Sequence, residues 1–82
     1  MKLNKNLAVS ETGFIFNPTS GDSFTANEIG ADILNLLKED KSIEDIKSSL
    51  VDKYDVDASQ LEKDVEDFIV LLRDNNLIQY ER

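Results

Sequence analysis

The chain has 82 residues, 40% of them hydrophobic, with no cysteine and no histidine; seventeen Asp and Glu against nine Lys and Arg set its formal charge at −8. That length holds one domain, whose folding buries roughly 60% of the unfolded surface. The missing residue types exclude disulfides, thiol nucleophiles, zinc fingers and imidazole general bases, and the acidic balance repels nucleic-acid phosphates and anionic lipid while suiting a basic or apolar peptide.

Leu3, Leu7 and Val9 alternate roughly with polar residues, as strands do. Ser10 to Gly13 (SETG) then supplies turn chemistry, and Phe14-Ile15-Phe16 suits a second strand. Asn17 to Asp22 (NPTSGD) is a turn: Pro18 fixes φ, Gly21 permits positive φ, and Asn17 and Asp22 bond nearby backbone. Ser23 to Ala26 completes a three-stranded meander within residues 3–26. Asn27 is placed to cap a first helix over about 27–38, with Ile29, Ile33, Leu36 and Leu37 at helical spacing. Ser42, with Asp45 three residues on, opens a second helix over about 42–54, striped by Ile43, Ile46, Leu50 and Tyr54. A third helix starts near Asp57 or Ser59 and spans about 58–75. On its wheel Leu61, Val65, Phe68 and Leu72 form one stripe. Ile69 and Leu71 flank that stripe on opposite sides, and Val70 points away. Asn75-Asn76 suits a left-handed C-cap, and Leu77 to Tyr80 (LIQY) allows a last extended piece. The expected fold is α+β and winged helix-turn-helix-like: a three-stranded antiparallel sheet followed by three helices, in one domain over 1–82.

The winged-helix outline raises DNA binding, in which the third helix would read a groove. Its polar face carries Glu62, Asp64, Glu66, Asp67 and Asp74 against Lys63 and Arg73, so it has no means of holding phosphates. Asp64 and Asp67 lie at i, i+3, the spacing of a carboxylate pair for acid–base work. Without histidine, cysteine or room for a deep pocket, they read as a solvated face. No enzyme activity, metal or cofactor is expected. No stretch approaches the roughly 20 apolar residues of a membrane helix, and the N-terminal segment lacks a signal peptide's apolar run, so the expected location is the cytoplasm.

One tetrad resembles a modification site. Gly21-Asp22-Ser23-Phe24 is similar to the mark at which acyl and peptidyl carrier proteins bear phosphopantetheine on serine. In those carriers a long helix precedes the serine. Here two turns and a strand-prone run fill the 22 residues before Ser23, which places Ser23 at the start of a strand. A carrier modified at Ser23 is the alternative reading. The reading the residues favour is an interaction module, because a three-stranded meander leaves an edge of unpaired N–H and C=O groups that another strand can complete.

An ordered set of residues carries a wider resemblance over about 11–78: Asn17-Pro18, Gly21 and Phe24-Thr25-Ala26-Asn27; Ala31, Ile33 and Leu36-Leu37; Ile43, Ile46, Leu50 and Tyr54; then Asp64-Val65, Phe68-Ile69, Leu72 and Leu77-Ile78. This set resembles the PqqD-like proteins, the RiPP recognition elements. The chain departs from their pattern at Ala26, where Leu is frequent, at Lys38-Glu39-Asp40, where Gly is usual, and at Asn76, which stands for another Gly. The resemblance implies a domain that binds the leader of a ribosomally made precursor peptide. It would present that leader to a modifying enzyme such as a radical SAM enzyme, a protease or a cyclodehydratase. It implies that the leader adds as a strand to Ser23, Phe24, Thr25 and Ala26 and lies against the third helix. Of that helix's two flanks, the one bearing Asp64, Asp67, Phe68 and Leu71 is the favoured wall, because its carboxylates pair with Lys or Arg of a leader. The other bears Val65, Ile69 and Leu72.

Overall fold

The computed structural model describes residues 2–79. In chain order the elements are β1 (Lys2–Leu3), β2 (Ala8–Val9), β3 (Phe14–Asn17), β4 (Asp22–Thr25), α1 (Glu28–Lys38), α2 (Ile43–Lys53), α3 (Ala58–Asp74) and β5 (Ile78–Gln79). Strands β2, β3 and β4 form the three-stranded antiparallel meander, in that spatial order. Gly21 closes the β3–β4 turn at φ +80, and its N–H donates to the Asn17 carbonyl at 2.7 Å.

Each helix begins where a capping side chain meets an unpaired N–H of the first turn. Asn27 accepts from the Gly30 N–H at 2.8 Å, Ser42 from that of Asp45 at 3.1 Å, and Asp57 from that of Gln60 at 3.2 Å. The choice between Asp57 and Ser59 thus falls to Asp57. Both α1 and α3 end in a Schellman motif. After α3, Asn76 takes φ 58, and the Leu77 N–H reaches back to Leu72 at 2.8 Å. After α1, Asp40 takes φ 63, and the Lys41 N–H reaches Leu36 at 3.2 Å.

The helices cover one face of the sheet. Ile15 from β3, Ile33, Leu34 and Leu37 from α1, Ile46 and Leu50 from α2, and Leu61, Val65, Ile69 and Leu72 from α3 form the buried core with Leu77 and Ile78. A polar brace joins α1 to the end of α2. The Tyr54 hydroxyl donates to Asp32 Oδ2 at 2.5 Å, and Lys53 Nζ donates to the same oxygen at 2.9 Å. Burial pushes the Asp32 carboxyl up, but these bonds and the Lys53 charge outweigh burial and hold its pKa below the usual value. The Tyr54 hydroxyl is pushed up to about 12, chiefly by its bond to Asp32.

One element departs from the expected layout. Leu3 does not lie on the meander: β1 pairs with β5, Leu3 opposite Ile78 and Lys2 opposite Gln79. A turn separates β1 from β2, with the Leu7 N–H on the Asn4 carbonyl at 3.2 Å. The expected terminal extension therefore exists as β5 and serves to hold the N-terminus; its Tyr80 lies outside the described residues.

Candidate functional site

Strand β4 ends the sheet. Its backbone orientation follows from one bond, the Ala26 N–H donating to the Gly13 carbonyl at 2.8 Å. Bonded and non-bonded pairs alternate in an antiparallel ladder. Phe24, opposite Ile15, therefore turns its N–H and C=O toward β3, and Ser23 and Thr25 turn theirs outward to the vacant side. Side chains alternate the other way. Phe24 is half-buried and packs against the core, whereas Ser23 and Thr25 are exposed on the outer sheet face beside Phe14 and Phe16.

Two adjoining hollows lie between this edge and α3. One, of about 130 Å³, is lined by Ile15, Phe24, Thr25, Ala26, Phe68, Leu71, Leu72 and Leu77, with no charged side chain. The second, of about 480 Å³, is lined by Asn27, Ile29, Gly30, Asp64, Asp67, Phe68 and Leu71. Phe68 and Leu71 belong to both, so apolar wall passes directly into acidic wall. Asp64 Oδ1 accepts from Gln60 Nε2 at 2.9 Å, and Asp67 stands 3.7 Å from Lys63 Nζ. These are exposed contacts within one helix, which solvent and a guest can displace.

The helix wheel separates two flanks, and packing assigns them. Val65, Ile69 and Leu72 are at most 5% exposed in the core, while Leu71 is 51% exposed beside β4. Phe68 and Leu71 thus share a wall with Phe24, Thr25 and Ala26, Asp64 and Asp67 line the adjoining hollow, and Ser23 lines neither but lies on the same edge. Ser23 sits within a strand, not at a helix start, as the turns before it require and unlike the serine of a carrier protein. Ile15, Leu77, Asn27, Ile29 and Gly30 also line the site beyond the residues expected there, and so does Leu72, which the sequence places on the other flank. Only Gly30 carried a signal, a glycine within a helical pattern, which marks close approach. A Cβ there would stand 2.8 Å from Ala26 Cβ and 3.2 Å from Phe68 Cε1.

Residues 13–78 match the family model described as coenzyme PQQ synthesis protein D (PqqD). The chain belongs to the PqqD family. Two solved structures share the PqqD-type architecture seen here. One, "TbiB1 in Complex with the TbiA(beta) Leader Peptide", is 25% identical with a TM-score of 0.89, covering 100% of this chain and 99% of that one. The other, "Lasso peptide synthetase B1 complexed with the leader peptide", is 22% identical with a TM-score of 0.84 and 96% coverage of each chain. No curated protein sequence matches significantly. Among the described residues no helix is long and apolar enough to cross a membrane.

Proposed function

We propose that this PqqD-family domain binds the leader of a ribosomally made precursor peptide as a strand added to β4, and presents it to a modifying enzyme. The domain acts as a binding module, and the chemistry belongs to its partner: a radical SAM enzyme, a protease or a cyclodehydratase. The observation that carries this reading is the outward-facing backbone of Ser23 and Thr25 immediately above an apolar hollow walled by Phe24, Phe68 and Leu71. The relative with 25% identity, TbiB1 in complex with the TbiA(beta) leader peptide, supports it. A guest strand satisfies the Ser23 and Thr25 groups. Its residue opposite Phe24 places an apolar side chain in the hollow, and a Lys or Arg nearby meets Asp64 and Asp67.

Thr25→Pro tests the reading. The Thr25 N–H points away from β3, so its loss spares the β3–β4 ladder, and Pro is compatible with an edge strand. The ring removes a donor and occupies the guest's side. Titrated with a leader peptide that the wild type binds, the variant is expected to bind at least about tenfold more weakly, from a lost hydrogen bond of about 1 kcal/mol plus the clash. Its helical circular dichroism should match that of the wild type. Equal affinity in wild type and variant would refute strand addition at β4.

A further inference from the structure

The sheet has two edges, and they are built differently. The Ser10 N–H donates to the Phe14 carbonyl at 2.9 Å, which sets the phase of the β2–β3 ladder. By alternation Val9, opposite Ile15, turns its N–H and C=O outward from β2. That carbonyl is already taken: Lys38 Nζ donates to it at 2.8 Å. One turn back on α1, Asn35 Nδ2 donates to the Glu11 carbonyl at 3.1 Å. Side chains from the polar flank of α1 thus reach the outward carbonyl of β2 at Val9 and the carbonyl of Glu11 in the turn that follows it. Strand β2 is also only two residues long. A short strand, a lysine and a covering helix are three recognised ways to deny an edge to other chains. Strand β4 has four residues, and among the described residues no helix side chain bonds its outward groups in this way.

We infer that Asn35 and Lys38 close the β2 edge, so that strand addition by a guest peptide is confined to β4 and no copy of this chain can offer its β2 to the β4 of another. The consequence is directional. A sheet open at both edges allows β4 of one copy to pair with β2 of the next, a head-to-tail contact that does not close and that propagates. Capping one edge ends that series at a single chain and leaves β4 vacant. The assignment goes beyond the leader-binding reading and needs only the edge geometry.

Sedimentation velocity at increasing protein concentration tests it, with this chain as its own probe and no peptide present. The wild type is expected to remain a monomer. Asn35→Leu with Lys38→Met keeps apolar bulk on α1 but removes both donors. It is expected to show a weight-average mass that rises with concentration and at least doubles by the millimolar range. Adding Thr25→Pro to that background, which blocks β4, should return it to monomer. An edge-opened variant that stays monomeric would overturn the inference. So would association that Thr25→Pro does not reverse, since it would run through another surface such as Phe14 and Phe16. Should the double exchange lose helical signal, Lys38→Met alone, at an exposed position, gives the same readout. Failure here leaves leader binding untouched, and a chain that binds no leader can still pass this test.

Discussion

At the scale of single residues, the site depends on what is absent at position 30. Gly30 is buried in α1, where glycine costs about 1 kcal/mol relative to alanine, so its presence needs a packing reason. The added Cβ would press on Ala26, the residue that follows β4, and on the ring of Phe68, part of the wall shared by both hollows. Gly30 therefore sets how closely the edge and α3 approach. Gly30→Ala gains helix propensity but overpacks the junction by about 1–3 kcal/mol. The expected net loss of stability is about 1 kcal/mol, read in urea denaturation. Leader affinity should fall about tenfold, measured under conditions where the variant is fully folded. A stability loss with unchanged affinity would make Gly30 a core residue alone.

At the scale of elements, the sequence shows most clearly what is decided locally. Three capping side chains and the spacing of apolar residues mark the helices, and the observed starts lie one residue beyond Asn27, Ser42 and Asp57. The turn letters around Pro18 and Gly21 mark the β3–β4 hairpin. What could not be read depends on partners distant in sequence. Strands β1 and β5 have two residues each, too few for a periodic signal, and each exists only because the other end of the chain lies beside it. The wheel of α3 sorts its residues into flanks but cannot say which flank meets β4, because the crossing of three helices decides that. The same holds for Asn35 and Lys38 reaching β2. Local reading also explains Lys38-Glu39-Asp40, where the family pattern favours glycine. Asp40 holds the left-handed position of a Schellman motif, with φ 63. Left-handed backbone costs a non-glycine residue about 1–2 kcal/mol, less for Asp. Asp40→Gly is therefore expected to raise stability by about 0.5–1 kcal/mol in urea denaturation, with leader affinity unchanged. A destabilised Asp40→Gly would mean that the Asp side chain supports the turn more than its backbone strains it.

At the scale of the whole molecule, charge is expected to select among the peptides that the proposed site admits. The net −8 is a general field that favours basic guests, while Asp64 and Asp67 place part of it beside the apolar hollow. The field and the site are separable by experiment. Each Asp→Lys exchange shifts the charge by two, so Asp64→Lys with Asp67→Lys leaves the chain at −4, still acidic overall but with a basic groove wall. Loss of two exposed pairs of up to about 1 kcal/mol each, followed by repulsion, should weaken a leader carrying Lys or Arg at that position by about tenfold or more at low salt. A leader carrying Glu there should gain. The difference should shrink at molar salt, where the Debye length falls to about 3 Å. If the general field alone governed selection, the same exchanges placed at Glu39 and Asp55, remote from the hollow, would have equal effect. If neither pair mattered at low salt, apolar contacts and the β4 backbone would select the guest without help from charge. The local reading requires the groove pair to change affinity strongly and the remote pair to change it little.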